Sequence, residues 1–196
     1  MKKMLLVRAG HGGELVGDFV RLGVAVVAWS KLGDLSKVGS AERLEQVILE
    51  TYPNSRKADG RLRADFGEIV ELAIVAQPGD LVVTADPKQR VLIVGEVTGP
   101  YKFLAGSTLQ SGGETYRHAI PVGWMFTVNR DDIASESKKN LEGGQKTAVF
   151  LNPSTMEDVL TAPRVTFEEY LLAADRLELV DSDQDVLGSL LLPEGP

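Results

Sequence analysis

The chain has 196 residues, 21 of them basic and 28 acidic, for a formal net charge of -7. Cysteine is absent, which excludes disulfides, thiolate metal sites and cysteine nucleophiles. No apolar run approaches the roughly 18 residues that a membrane-spanning helix needs. The acidity is unevenly placed: residues 1–130 carry 16 basic and 14 acidic side chains, residues 131–196 carry 5 and 14. That asymmetry separates a near-neutral working domain from an acidic C-terminal third. Asp181-Ser182-Asp183-Gln184-Asp185 and Leu192-Pro193-Glu194-Gly195-Pro196 read as solvated tail, serving either solubility or the docking of a partner. The apolar start stops at Arg8 with no small-residue cleavage pattern after it, so no signal peptide is expected and a cytoplasmic location is.

In chain order, Lys3–Ala9 suits a buried strand. Gly10-His11-Gly12-Gly13 turns the chain into a helix over Glu14–Leu22, with Leu15, Phe19 and Leu22 at helical spacing and Gly23 as its stop. Val24–Trp29 is rich in β-branched residues and predicts a second strand. Ser40 can cap a helix that puts Leu44, Val47, Ile48 and Tyr52 on one face, and Asp65–Ala76 repeats the pattern. Leu81–Ala85, a turn at Asp86-Pro87-Lys88-Gln89, and Arg90–Val97 read as a β-hairpin. Thr98–Phe103 extends it beyond a bend at Gly99-Pro100. Tyr116–Pro121 and Val122–Val128 read as further extended segments, Arg130–Ile133 as a short helix, and Lys146–Leu151 as a strand or helical turn. Thr166 caps a helix over Phe167–Leu177. This order predicts an α+β fold, a small bent β-barrel flanked by helices with an acidic C-terminal appendage.

Several blocks, in order, resemble a known family. They are Val7-Arg8-Ala9-Gly10-His11-Gly12-Gly13-Glu14, Gly23–Trp29 with Ser30-Lys31-Leu32-Gly33-Asp34-Leu35, Gly79–Thr84, Val94–Tyr101 and Tyr116–Trp124. Together they resemble the N-terminal domain of Mrr-type restriction-system proteins, which is similar to the EVE and YTH branches of the PUA-like superfamily. The resemblance spans residues 4–151, so it implies a nucleic-acid reader domain over 1–151 followed by an acidic C-terminal helix and tail over 152–196. It implies a PUA-like barrel whose aromatic pocket takes a modified base, steering a fused or separate nuclease or NTPase toward modified DNA. YTH relatives read methylated adenine in RNA. No nuclease half is expected within these residues: Asp86 and Lys88 lie near Glu96, but Thr98 stands where a PD-(D/E)xK site needs lysine, and the roughly 45 residues after Leu151 are too few for such a domain.

Within this frame Trp29 is the expected base-stacking residue, because the resemblance places a cage tryptophan at the end of the second strand; core packing is the other reading. The second wall is expected from Tyr101, Phe103 or Tyr116, whereas Trp124 reads as core in a stripe with Val122, Phe126 and Val128. Ser30 and Asp34 could hydrogen-bond a base edge, Asp34 equally capping its own turn. Gly10–Gly13 with His11 either cradles a phosphate or makes a tight turn. Arg8, Lys31, Lys37, Arg117 and Arg130 are expected as a phosphate-contacting rim, extended by Lys138 and Lys139. Two histidines without cysteine do not suggest a metal site, and no cofactor, catalytic residue or membrane contact is expected. The expected role is a non-catalytic reader of modified DNA in a restriction or anti-phage system. An RNA-binding YTH or PUA-type module, a small-molecule or protein-interaction domain, and a hydrolase of unseen site are the alternatives.

Overall fold

A computed structural model describes residues 2–52, 67–142 and 147–174. The expected helix start at Asp65, Lys146, the helix end at Leu177 and the acidic tail lie outside the described residues. The fold is α+β: one curled, half-barrel mixed sheet with helices on both faces. Its strands are β1 (Met4–Val7), β2 (Val24–Val27), β3 (Leu81–Asp86), β4 (Val91–Val97), β5 (Lys102–Phe103), β8 (His118–Asn129), β9 (Ala148–Phe150) and β10 (Arg164–Thr166). A separate ribbon joins β6 (Gln110–Ser111) to β7 (Glu114–Thr115). The path through the sheet is β10-β8-β4-β3-β1-β9, with β2 and β5 also paired to β8. Among the described residues only β1 and β3 run parallel.

All four residues of β1 are buried because it is central and covered on both sides. Leu5 and Val7 enter a first core with α1 (Val16–Leu22), α2 (Ala41–Thr51), the helix over residues 67–75 (α3) and β2. Met4 and Leu6 enter a second core beneath α4 (Ser135–Glu142) and α5 (Pro153–Thr161). Strand alternation thus supplies two cores from one apolar run. The helix signals behave as the chemistry requires. Gly23 closes α1 at φ 62°, and Ser40 Oγ accepts the Arg43 N–H at 3.3 Å. Thr166 and Glu169 exchange hydrogen bonds in a capping box ahead of a helix over 167–174 (α6). The last five residues of α3, Glu71–Val75, are wound as a π-helix. Glu68 and Glu71 from α3 accept the N–H groups of Thr147 and Phe150 along β9, blunting that sheet edge.

Three expectations change. Tyr116–Pro121 and Val122–Val128 form one strand of twelve residues from His118 onward, β8. Its first half lies between β2 and β5, its second between β4 and β10, and this handover produces the curl. Pro121 is accommodated because it sits opposite Val24, where the β2 ladder ends. The stripe Val122, Trp124, Phe126, Val128 does not stay on one face: a bulge leaves Met125 unpaired, with Gly95 opposite Trp124 and Val94 opposite Phe126. Val122 and Trp124 therefore join the first core, Phe126 and Val128 the second. Finally, α4, α5 and β10 are elements that the sequence reading does not contain: Val159 is fully buried and β10 extends the main sheet.

Candidate functional site

Trp29 follows β2 in a tight turn whose carbonyl accepts the Leu32 N–H at 2.9 Å. Its φ is 51°, a left-handed conformation that bulky side chains rarely adopt and that costs on the order of 1 kcal/mol or more. The turn is held by a second bond, because His118 Nε2 lies 3.3 Å from the same carbonyl. A carbonyl only accepts, so Nε2 carries the hydrogen and Nδ1 is left as acceptor for the Tyr101 hydroxyl at 2.8 Å. The Tyr101 oxygen in turn accepts the Leu35 N–H at 3.4 Å. The relay from Leu35 through Tyr101 and His118 thus ends on the Trp29 peptide and requires a neutral imidazole. His118 is fully buried, and that burial holds its pKa down at about 4; burial likewise pushes the Tyr101 phenol up to about 12.

The wall facing Trp29 is Tyr52. The two rings meet edge to face, centroids 5.7 Å apart and planes at 88°, and Lys31 Nζ lies 5.7 Å from the Tyr52 ring centre. The helical spacing places Tyr52 on the core face of α2. It occupies the C-cap of that helix, and there the same face reaches the Trp29 turn. Tyr101 and Phe103 both pack on His118 instead, at 6.0 and 5.4 Å between ring centres, and so back the turn rather than wall the corner. Tyr116 is 6% exposed and sits in the first core. His118 carried no signal beyond being one of two histidines; its place in the apolar run Ala119-Ile120 was the available hint.

The polar residues divide likewise. Ser30 Oγ donates to Glu114 on β7, and Asp34 Oδ1 accepts the Ser36 N–H at 2.9 Å, the turn-capping role. That backbone bond is the main reason the Asp34 carboxyl lies below the usual carboxylate range. Lys31 and Lys37 are exposed in the same turn region. Arg117 precedes His118, and its Nε is buried with no hydrogen-bond partner among the described residues. The rest of the expected rim lies elsewhere. His11 donates its backbone N–H to Ser111 Oγ at 2.7 Å, and the Ser111 hydroxyl donates to the Glu14 carboxylate at 2.6 Å, so Gly10–Gly13 serves as a tight turn docked on the β6–β7 ribbon. A side chain at Gly10 (φ 71°) would lie 2.7 Å from Ser111 Oγ. Arg8 and Arg130 flank Lys138 beside α4, where Leu6 and Leu92 mark the sheet face of the second core.

Trp124, in contrast, is structural. Its Nε1–H donates to the Phe19 carbonyl at 2.9 Å, tying β8 to α1. Among the described residues no group of three or more His, Asp or Glu side chains is arranged to hold a metal ion, and no helix is long and apolar enough to cross a membrane.

No curated protein and no solved structure matches this chain. A family model does match, over residues 3–151, a span that holds the Trp29 turn, Tyr52, the His118 relay and strands β1 to β9. The chain is a member of the family described as a domain of unknown function, DUF8426.

Proposed function

We propose that this chain is a non-catalytic, PUA-like nucleic-acid reader of the EVE/YTH kind. It takes a modified base, in DNA more than in RNA, against Trp29 and Tyr52. In that reading it is the target-recognition part of a restriction or anti-phage system, and a separate nuclease or NTPase performs the cleavage. The observation that carries the proposal is the Trp29–Tyr52 corner: two perpendicular rings and a lysine, on a turn held in a strained conformation by a buried relay. Strain retained at a partly exposed tryptophan is typical of a site that must present its ring in one orientation. A flipped base stacks on one ring while an added methyl group meets the other. Arg117, next to His118 of the relay, is the arginine offered in this reading to a backbone phosphate. The curled half-barrel with helices at its rim agrees with the architecture such readers use.

The test is a fluorescence and gel-shift titration at low salt of four ligands: duplexes carrying 5-methylcytosine or N6-methyladenine, the unmodified duplex, and single-stranded RNA. A modified duplex should bind tightest and change tryptophan emission, and Trp29→Ala should weaken it roughly tenfold or more while preserving the fold. Arg117→Gln should weaken all sequences alike and lower the salt dependence by about one ion. If none of the four binds to a folded protein, the reader assignment is lost. RNA binding best would move it to the YTH or PUA kind.

A further inference from the structure

The two polar side chains expected to meet a base edge at the Trp29 turn, Ser30 and Asp34, are both engaged. Asp34 closes on Ser36, accepting its backbone N–H and its hydroxyl. Ser30 has a single hydroxyl proton and donates it to Glu114 Oε2, so toward a ligand its oxygen accepts. We infer that Glu114 is the specificity-determining residue of this corner: its carboxylate accepts the exocyclic amino group of the bound base, so the site takes amino-bearing bases and rejects thymine and uracil derivatives. This rests on the reading of the corner as a base site.

Glu114 comes from far along the chain and is held in place from two sides. It lies on β7, in register with Ser111 of β6. The loop between them, Gly112-Gly113, is left-handed at both residues, φ 59° and 80°, as a tight two-residue hairpin turn requires. Ser111 is 5% exposed and fastens the ribbon to the Gly10–Gly13 turn through His11 and Glu14. Ser30 fastens Glu114 itself to the Trp29 turn. A carboxylate anchored this way loses little freedom when it meets a ligand. Its second oxygen, Oε1, has no hydrogen bond or ion pair among the described residues, and the side chain is exposed. Its charge reaches the ring opposite Trp29: burial pushes the Tyr52 phenol up, and Glu114 adds to that shift.

On the ribbon side the corner therefore presents acceptors, while the Lys31 ammonium lies over the Tyr52 ring. Cytosine, adenine and guanine derivatives offer an amino N–H to such an edge. Thymine and uracil offer one N–H between two carbonyl oxygens, which a carboxylate repels. A site that hydrogen-bonds an N–H discriminates against an analogue lacking it. Because Glu114 is exposed and water competes for it, about tenfold is expected rather than the far larger ratios of sealed pockets.

Two matched pairs test this, with each base set opposite an abasic site in an otherwise identical duplex so that no partner holds it. The pairs are 5-methylcytosine against thymine, and N6-methyladenine against N6,N6-dimethyladenine; the first member of each presents an amino N–H and the second none. In the pair that binds, the amino member should bind roughly tenfold tighter. Glu114→Gln, whose amide can turn either a donor or an acceptor to the base, should shrink that preference roughly threefold or more, with folding confirmed by an unchanged circular dichroism spectrum. Lys31→Gln should weaken both members alike and keep the preference. If none of the four duplexes binds to a folded protein, the base-site reading falls and this inference with it. Binding without preference, a preference that Glu114→Gln leaves intact, or one that Lys31→Gln abolishes overturns the inference alone.

Discussion

His118 should make this fold acid-sensitive in a calculable way. Its pKa is near 4 in the folded chain against 6.5 when unfolded, because burial disfavours the imidazolium. The folded state therefore favours the neutral ring. The associated stability is fully present above the unfolded value, is lost as pH falls through the interval from about 6.5 to about 4, and is gone below it. At 1.36 kcal/mol per unit the whole interval corresponds to about 3 kcal/mol, and at about pH 4.5 some 2–2.5 kcal/mol is already lost. The assay is urea unfolding of the wild type and of His118→Gln, which cannot titrate, at about pH 7 and about pH 4.5. Carboxylates that titrate in the same range cancel in the difference between the two proteins, so the wild-type advantage should shrink by about 2 kcal/mol on acidification. A gap that does not change with pH refutes the reasoning. So would a nitrogen-15 imidazole spectrum showing hydrogen on Nδ1, since the relay to Trp29 needs it on Nε2.

Other predictions concern the packing around the site. Gly95→Ala should destabilise by about 2–3 kcal/mol, because its Cβ would lie 2.8 Å from the Gly123 carbonyl and 2.5 Å from Val122 Cγ1 at the bulge; thermal unfolding measures this. Trp124→Phe keeps most of the ring but strips the Phe19 carbonyl of its donor, and should cost about 1–3 kcal/mol in denaturant titration. Tyr170→Phe removes the hydroxyl that donates to buried Asp86 at 3.0 Å. It should cost about 1.5–3 kcal/mol, and amide exchange should quicken over residues 167–174 before the rest of the fold loosens.

Local signals were read well from the sequence where the chemistry is local. The Leu81–Val97 hairpin, the Gly23 stop, and the Ser40 and Thr166 caps each rest on a few adjacent residues, and each stands as expected. What escaped depends on partners far along the chain. α4 was missed because Ser135–Glu142 is almost wholly polar and buries little besides Leu141 and Ser137. The β8 stripe failed because one unpaired residue, Met125, inverts alternation, and nothing in Trp124-Met125-Phe126 announces it. The resemblance nominates Trp29, but the ring beside it, Tyr52, comes from a helix whose packing angle no periodicity reveals. The expected cationic rim assumed one surface, whereas Lys31 lies over Tyr52 and Arg8 and Arg130 stand beside α4. Charge read along a line does not say which side of a sheet receives it.

The position of β1 has a consequence for the order in which this molecule can assemble. Met4–Leu6 pair with Leu81–Val83 on one side, and Leu5–Val7 pair with Ala148–Phe150 on the other. β1 is therefore flanked on both sides in the finished sheet, and during synthesis it waits for partners about eighty and then a hundred and fifty residues downstream. Until residue 150 emerges, four consecutive apolar residues have only one flank covered. Synthesis should thus pass through a stage in which the 81–97 hairpin is formed while the second flank of β1 is still open, the stage at which a chaperone would have most to hold.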